Sequence, residues 1–237
     1  MRPEFYRATI REVVDLGAGR REYLCDVPEG LSWQPGSHAH TGLPGFQEGG
    51  RPHRELVHNM SICTLESEGA LGFATRLTSS DSAYKTTLAG LEPGDEVTFF
   101  RASCGLALPE DGRAVVMLSQ GVALAALRPV ILDAAARGLP GTPSLVSISV
   151  DAAGELFAGE LAQAAAATPG ITLVHVAHRA ELEAAVRSLE APLERTFMVV
   201  GSDAFVRAQV ALLRELDLPD ESIVVDRDPR HRAPLFA

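Results

Sequence analysis

In the stretch "VHNMSICT", Val57 to Thr64, the apolar letters read as a β-strand, yet His58, Asn59 and Ser61 put polar atoms where a strand that only packs has no need of them. A histidine can hydrogen-bond an anion and is favoured in its charged form beside one. Met60 carries a polarizable thioether that can lie flat against an aromatic ring, and Ser61 adds a hydroxyl. Just upstream, "HAH" sets His38 and His40 on one face of a strand, the geometry of two metal ligands, but no third ligand can be named and no metal site is expected. Further on, Ser80, Asp81 or Ser82 can cap a helix whose first amides are free for an anion. Cys25, Cys63 and Cys104 lie far apart with no Cys-x-x-Cys pair, which speaks against both a disulfide framework and a thiolate cluster.

The elements that must hold these residues come in two textures. From Phe5 to about Phe100 the apolar runs are short and punctuated by "DLGAGR", "VPEGL", "QPGS", "GLPGFQEGGRP" and "LEPGDE", which predicts a small antiparallel barrel or sandwich. Its strands are expected at Phe5–Val14, Arg21–Val27, Ser37–Thr41, Val57–Thr64, Leu71–Leu77 and Glu96–Arg101, with one helix from Ser80–Ser82 to about Leu91. After "LPEDGR" apolar strands alternate with Ala/Leu-rich helices, the signal of a parallel sheet with crossover helices. Strands are expected at Ala114–Leu118, Ser144–Val150, Ile171–Val176, Thr196–Val200 and Ser222–Val225. Helices are expected at Ala123–Arg137, Glu155–Ala166, Ala180–Leu189 and Ala204–Leu216. The chain therefore reads as two domains, 1–110 and 111–237: an antiparallel β-barrel followed by an α/β doubly wound parallel sheet.

A chain of 237 residues with 46% hydrophobic and 22% charged content can bury two such cores. Its formal net charge of -10 repels a phosphate backbone and an anionic membrane surface alike, so neither nucleic acid nor membrane is expected as partner. No apolar run approaches the roughly 18 residues of a spanning helix, and the first residues lack the apolar block of a signal peptide. The expected location is cytoplasmic.

The order of parts resembles the ferredoxin-NADP reductase superfamily. "WQPGSHAH" is similar to that family's Pro-Gly-Gln strand, "HNMSICT" to its Arg-x-Tyr-Ser flavin strand and "SDSAYKTTLAGLEPGDEV" to the helix and turn beside the flavin pyrophosphate. "LSQGVALAALRPVI" falls where the family has its glycine-rich nicotinamide loop, and "FMVVGSDAFVRAQVALLRELDLPDESIVV" where it has a Cys-Gly-Pro strand end, a helix and a last strand. The resemblance implies a flavin-binding barrel of the ferredoxin-reductase type and an NAD(P)-binding domain, with FAD as cofactor and a nicotinamide dinucleotide as electron donor. On that pattern His58, Met60 and Ser61 stand at the phosphate-binding, ring-covering and catalytic hydroxyl positions, with Asn59 between them. Thr64, Thr75 and Arg76 are candidates for the ribityl and phosphate chain, and Ser80 and Ser82 for the pyrophosphate. Gly121 is the surviving glycine of the nicotinamide loop, Gly201 stands at the glycine of the Cys-Gly-Pro strand end, and Phe236 is the terminal aromatic that many members place over the flavin.

The acidic Asp151 after the second strand of the α/β region would repel a 2′-phosphate, so NADH is favoured over NADPH. The function implied is electron transfer from NADH through FAD to a protein or small-molecule acceptor. Two alternatives stay open: a reductase that treats flavin as substrate, and a flavoprotein whose nicotinamide site has been lost.

Overall fold

Period-2 alternation in the first half builds six antiparallel strands: β1 (Phe5–Asp15), β2 (Arg20–Cys25), β3 (Ser37–Gly42), β4 (Val57–Ser61), β5 (Leu71–Arg76) and β6 (Glu96–Cys104). They pair in the order β4-β3-β6-β1-β2-β5. Beyond β4, an Ile62–Phe73 bridge and a bond of 2.8 Å from the Cys63 amide to the Gly72 carbonyl carry the chain across to β5, so the sheet curls into a barrel. Tyr23, Phe73, Phe99, Ile10 and Leu71 fill it. Helix α1 (Ala83–Ala89) contributes Tyr84 and Leu88 to this core. Its C-terminal carbonyls are held by Tyr23 Oη on Leu88 and Arg21 Nη1 on Ala89, both at 2.9 Å.

The computed structural model describes residues 4–50, 52–78, 82–137, 145–227 and 232–236. The chain divides into two compact units at Cys104/Gly105. In the second unit β7 (Ala114–Gln120), β8 (Leu145–Val150), β9 (Ile171–Val176), β10 (Arg195–Val200) and β11 (Ile223–Val225) form a parallel sheet in the order β11-β10-β7-β8-β9. The crossover helices are α2 (Leu124–Arg137), α3 (Ala158–Ala167), α4 (Arg179–Arg187) and α5 (Asp203–Glu215). The central strands β7, β8 and β10 are largely apolar and buried because both faces are covered, whereas edge strand β9 is only partly covered. One face packs on Leu182 and Val186 of α4 and on Phe205, Val206, Val210 and Leu213 of α5. Helices α2 and α3 are joined by Arg128, whose Nε and Nη2 donate to Glu160 at 2.7 and 2.6 Å while the guanidinium sits 5.2 Å from the Phe157 ring centroid.

Several boundaries differ from expectation. The strand predicted to run to Thr64 stops at Ser61, because Thr64 turns inward as a latch between Ala70 and Gly72. Helix α1 starts after Ser82, one of the three caps expected, and ends at Ala89 rather than about Leu91; Ser80 and Asp81 lie outside the described residues, as does Ser144. Helix α3 begins at Ala158 rather than Glu155, since Phe157 takes a left-handed φ of 56° and Glu155 is drawn to Ser149.

Candidate functional site

On β4, antiparallel pairing with β3 sets His58 opposite Thr41 and Met60 opposite Ala39, with Asn59 opposite His40 and Ser61 opposite His38 on the other face. His58 is exposed, but one edge of its ring meets buried Tyr84 of α1, with centroids 5.0 Å apart at 61°. Burial of that edge, and then the charge of Lys85, hold the His58 pKa below its ordinary value. Lys85 is likewise lowered, by burial and then by the charge of Arg76 at the end of β5. Lys85 and Arg76, cationic groups from α1 and β5, thus repel one another, and His58 of β4 is held towards its neutral form beside Lys85, in a chain whose net charge is -10. Such a concentration is stabilised by a polyanion with several oxygens, and the donor set of two long cations and an imidazole fits a diphosphate.

Arg76 and His58 are sequence-predicted; Tyr84 and Lys85 are not. The available signal was that Lys85 is the chain's only lysine among 21 basic residues. Tyr84 Oη lies next to Thr41, which lowers its pKa, but burial outweighs that and pushes the phenol up.

The remaining barrel candidates divide. Ser82 is the N-cap of α1, its Oγ accepting from the Lys85 amide at 3.3 Å. Ser61 and Asn59 share their face with His38 and His40; His38 Nε2 is 3.0 Å from Ser103 Oγ, and His40 packs on Phe100 with centroids 5.2 Å apart. Met60 is 9% exposed and belongs to the barrel core. Thr75 is half-buried on β5 opposite Arg21. Thr64 is committed elsewhere: its Oγ1 donates to the Ala70 carbonyl at 2.8 Å and accepts from the Gly72 amide at 2.9 Å, and its carbonyl accepts from Trp33 Nε1. Its hydroxyl is spent on the turn rather than on a cofactor.

In the α/β unit the strand order reverses between β7 and β10, whose carboxyl ends carry Gln120-Gly121 and Gly201-Ser202. A crevice at such a reversal is where open α/β sheets bind ligands. Gly121 has φ 59°, which its lack of a side chain permits, and opens a short 3-10 turn ahead of α2. Gly201 is required by packing: a Cβ there would meet the Phe205 ring at 2.5 Å. Gln120 Oε1 accepts from Arg179 Nη2 of α4 at 3.1 Å and from Ser202 Oγ at 3.4 Å, spanning the two strand ends.

At the end of β8, Ser149 Oγ donates to Glu155 at 2.8 Å and lies 3.1 Å from His175 Nδ1. Phe236, expected as a cover for a flavin, is taken up within this unit. Its ring packs on the α/β core beneath Arg214, and its carbonyl accepts from Arg214 Nη1 at 2.6 Å.

Among the described residues no group of three histidines, cysteines or carboxylates is arranged to hold a metal, and no helix is long and apolar enough to cross a membrane.

No protein-family model matches the chain, and no curated protein matches it. Solved structures do. The reductase GcoB from Amycolatopsis superposes with a TM-score of 0.80 at 22% identity, over 95% of this chain and 70% of that one. The ferredoxin-NADP+ reductase of Plasmodium falciparum gives 0.76 at 11%, over 94% and 95%. Phthalate dioxygenase reductase, which transfers electrons from pyridine nucleotides, gives 0.70 at 13%, over 97% and 70%. The chain has the two-part fold of ferredoxin-NADP reductase-like proteins, an antiparallel barrel followed by a parallel α/β sheet.

Proposed function

We propose that this protein is an FAD-dependent oxidoreductase that draws electrons from NADH and passes them to a protein or small-molecule acceptor. The observation that carries the reading is the convergence of His58, Arg76 and Lys85 on the barrel of a reductase fold. When bound, FAD supplies a two-electron carrier that can release electrons singly or in pairs. The chain's own residues bind and orient it. His58, Arg76 and Lys85 would hold the diphosphate, with Ser82, the N-cap of α1, at the adjoining helix end. The strand end at Asn59 and Ser61 would lie along the ring system, where Ser61 Oγ would offer a hydrogen bond, while Met60 backs the strand from the barrel core. Residues 1–110 serve the flavin and 111–237 the dinucleotide. Asp151 and Glu155 repel a 2′-phosphate, which favours NADH over NADPH.

Each charge-assisted bond to a phosphate is worth about 1.5–3 kcal/mol. Lys85→Gln, Arg76→Gln and His58→Gln are therefore each expected to weaken FAD by roughly ten- to a hundredfold. Denaturing the purified protein and identifying the released flavin gives the complementary test. Release of FMN alone, or unchanged FAD affinity in all three variants, would refute the assignment. Ser61→Ala is expected to slow flavin reduction at matched FAD content; equal stopped-flow rates would remove the catalytic role.

A further inference from the structure

The reversal point of the α/β sheet is bridged by one side chain. Gln120 ends β7, Ser202 follows β10, and Arg179 opens α4, so three separate elements meet at the Gln120 carboxamide oxygen. Arg179 also lies over the Phe205 ring, 5.9 Å from its centroid, which steadies the guanidinium beside the crevice. A cation and a hydroxyl donor aimed at one oxygen make a donor set suited to a phosphate, and here a neutral side-chain oxygen takes that place.

We infer that Gln120 is a specificity-determining residue that stands in for a phosphate oxygen of the dinucleotide, and that Arg179 and Ser202 are the groups that receive the diphosphate once the carboxamide swings away. The inference rests on the proposed use of NADH. Gln120 lowers affinity by the cost of breaking its two bonds, and Arg179 supplies the only positive charge among these three residues, so the bound anion leans on it heavily. Reversing the charge balance at position 120 has the opposite consequence to removing the side chain: a carboxylate tightens the tie to Arg179 and repels the anion.

The test is NADH binding to the full, FAD-loaded chain with its flavin already reduced under anaerobic conditions, so that no hydride can be transferred, followed by the fluorescence of the dinucleotide. Gln120→Ala and Gln120→Gly are expected to bind NADH at least about tenfold more tightly than the parent, and Gln120→Glu at least about tenfold more weakly. Adding Arg179→Ala to Gln120→Ala is expected to abolish the gain. Cooperative melting of each variant verifies the fold, and Gln120→Ala removes only side-chain atoms at a strand end. If parent and Gln120→Ala bind NADH equally, or Gln120→Glu binds as well as either, the stand-in role is overturned while NADH use survives. If neither parent nor variants bind NADH, both the inference and the choice of donor fall.

Discussion

His58 ties flavin binding to pH. Its ordinary pKa of 6.5 is lowered in the folded chain, first by burial against Tyr84 and then by Lys85, so near neutrality the imidazole is uncharged. A diphosphate beside it favours the charged form, and binding therefore takes up a proton. FAD affinity is expected to rise as pH falls from about 8 towards the lowered free-state pKa, and to level off below it. Folding has the opposite sign. The unfolded chain protonates first, so stability is present above 6.5 and is lost as pH falls through the folded value. Flavin fluorescence titrations across this range check the first slope, with His58→Gln as control. An affinity that grows with rising pH, or a slope unchanged in the variant, would exclude His58 from the phosphate site.

Among the elements, the β10–α5 junction leaves no room for a side chain at its glycine. A Cβ at residue 201 would stand 2.5 Å from Phe205 Cδ1 and 3.1 Å from Cγ, and Phe205 is fully buried in the α/β core. Overpacking of this kind costs about 1–3 kcal/mol, so Gly201→Ala is expected to lower the urea midpoint without changing the slope of the transition. An unchanged midpoint would mean that the ring has room to move. This junction also marks how far the sequence could be read. The "VVGSDAF" pattern announces a strand, a glycine and a capped helix, and the two textures on either side of Arg113 announce the barrel and the parallel sheet, because each period follows from local geometry. What Gly201 accommodates is not legible there, since the reason is a ring four residues on that folds back over it. The same holds for Thr64, whose hydroxyl is claimed by Ala70 and Gly72, and for Phe236, claimed by Arg214. Lys85 escaped notice because its significance lies in the charges that β4 and β5 bring to it, and no spacing along the chain encodes that meeting.

At the scale of the whole molecule, the two units have separate cores: one built around Tyr23, Phe73 and Phe99, the other around Phe197, Phe205 and Val210. A ligand held by His58, Arg76 and Lys85 stabilises the first by about 2.7 kcal/mol at a hundred times its dissociation constant. Calorimetry with and without FAD is expected to resolve two components, with FAD raising one and leaving the other in place; equal shifts in both would show that the units unfold as one. The parallel sheet carries a consequence for storage and expression. Strand β9, "ITLVHV", is the outermost strand next to β8, rich in β-branched residues and without a formal charge, and its side chains are only partly covered. Its outer row of amides and carbonyls is a template onto which another chain's strand can add, the step that starts amyloid-like self-association. Thr172 is the exposed residue near the start of this strand. Thr172→Lys is expected to slow the growth of light scattering in concentrated, gently warmed samples while leaving the melting temperature within about a degree of the parent. Scattering that grows at the parent's rate would place the aggregating segment elsewhere.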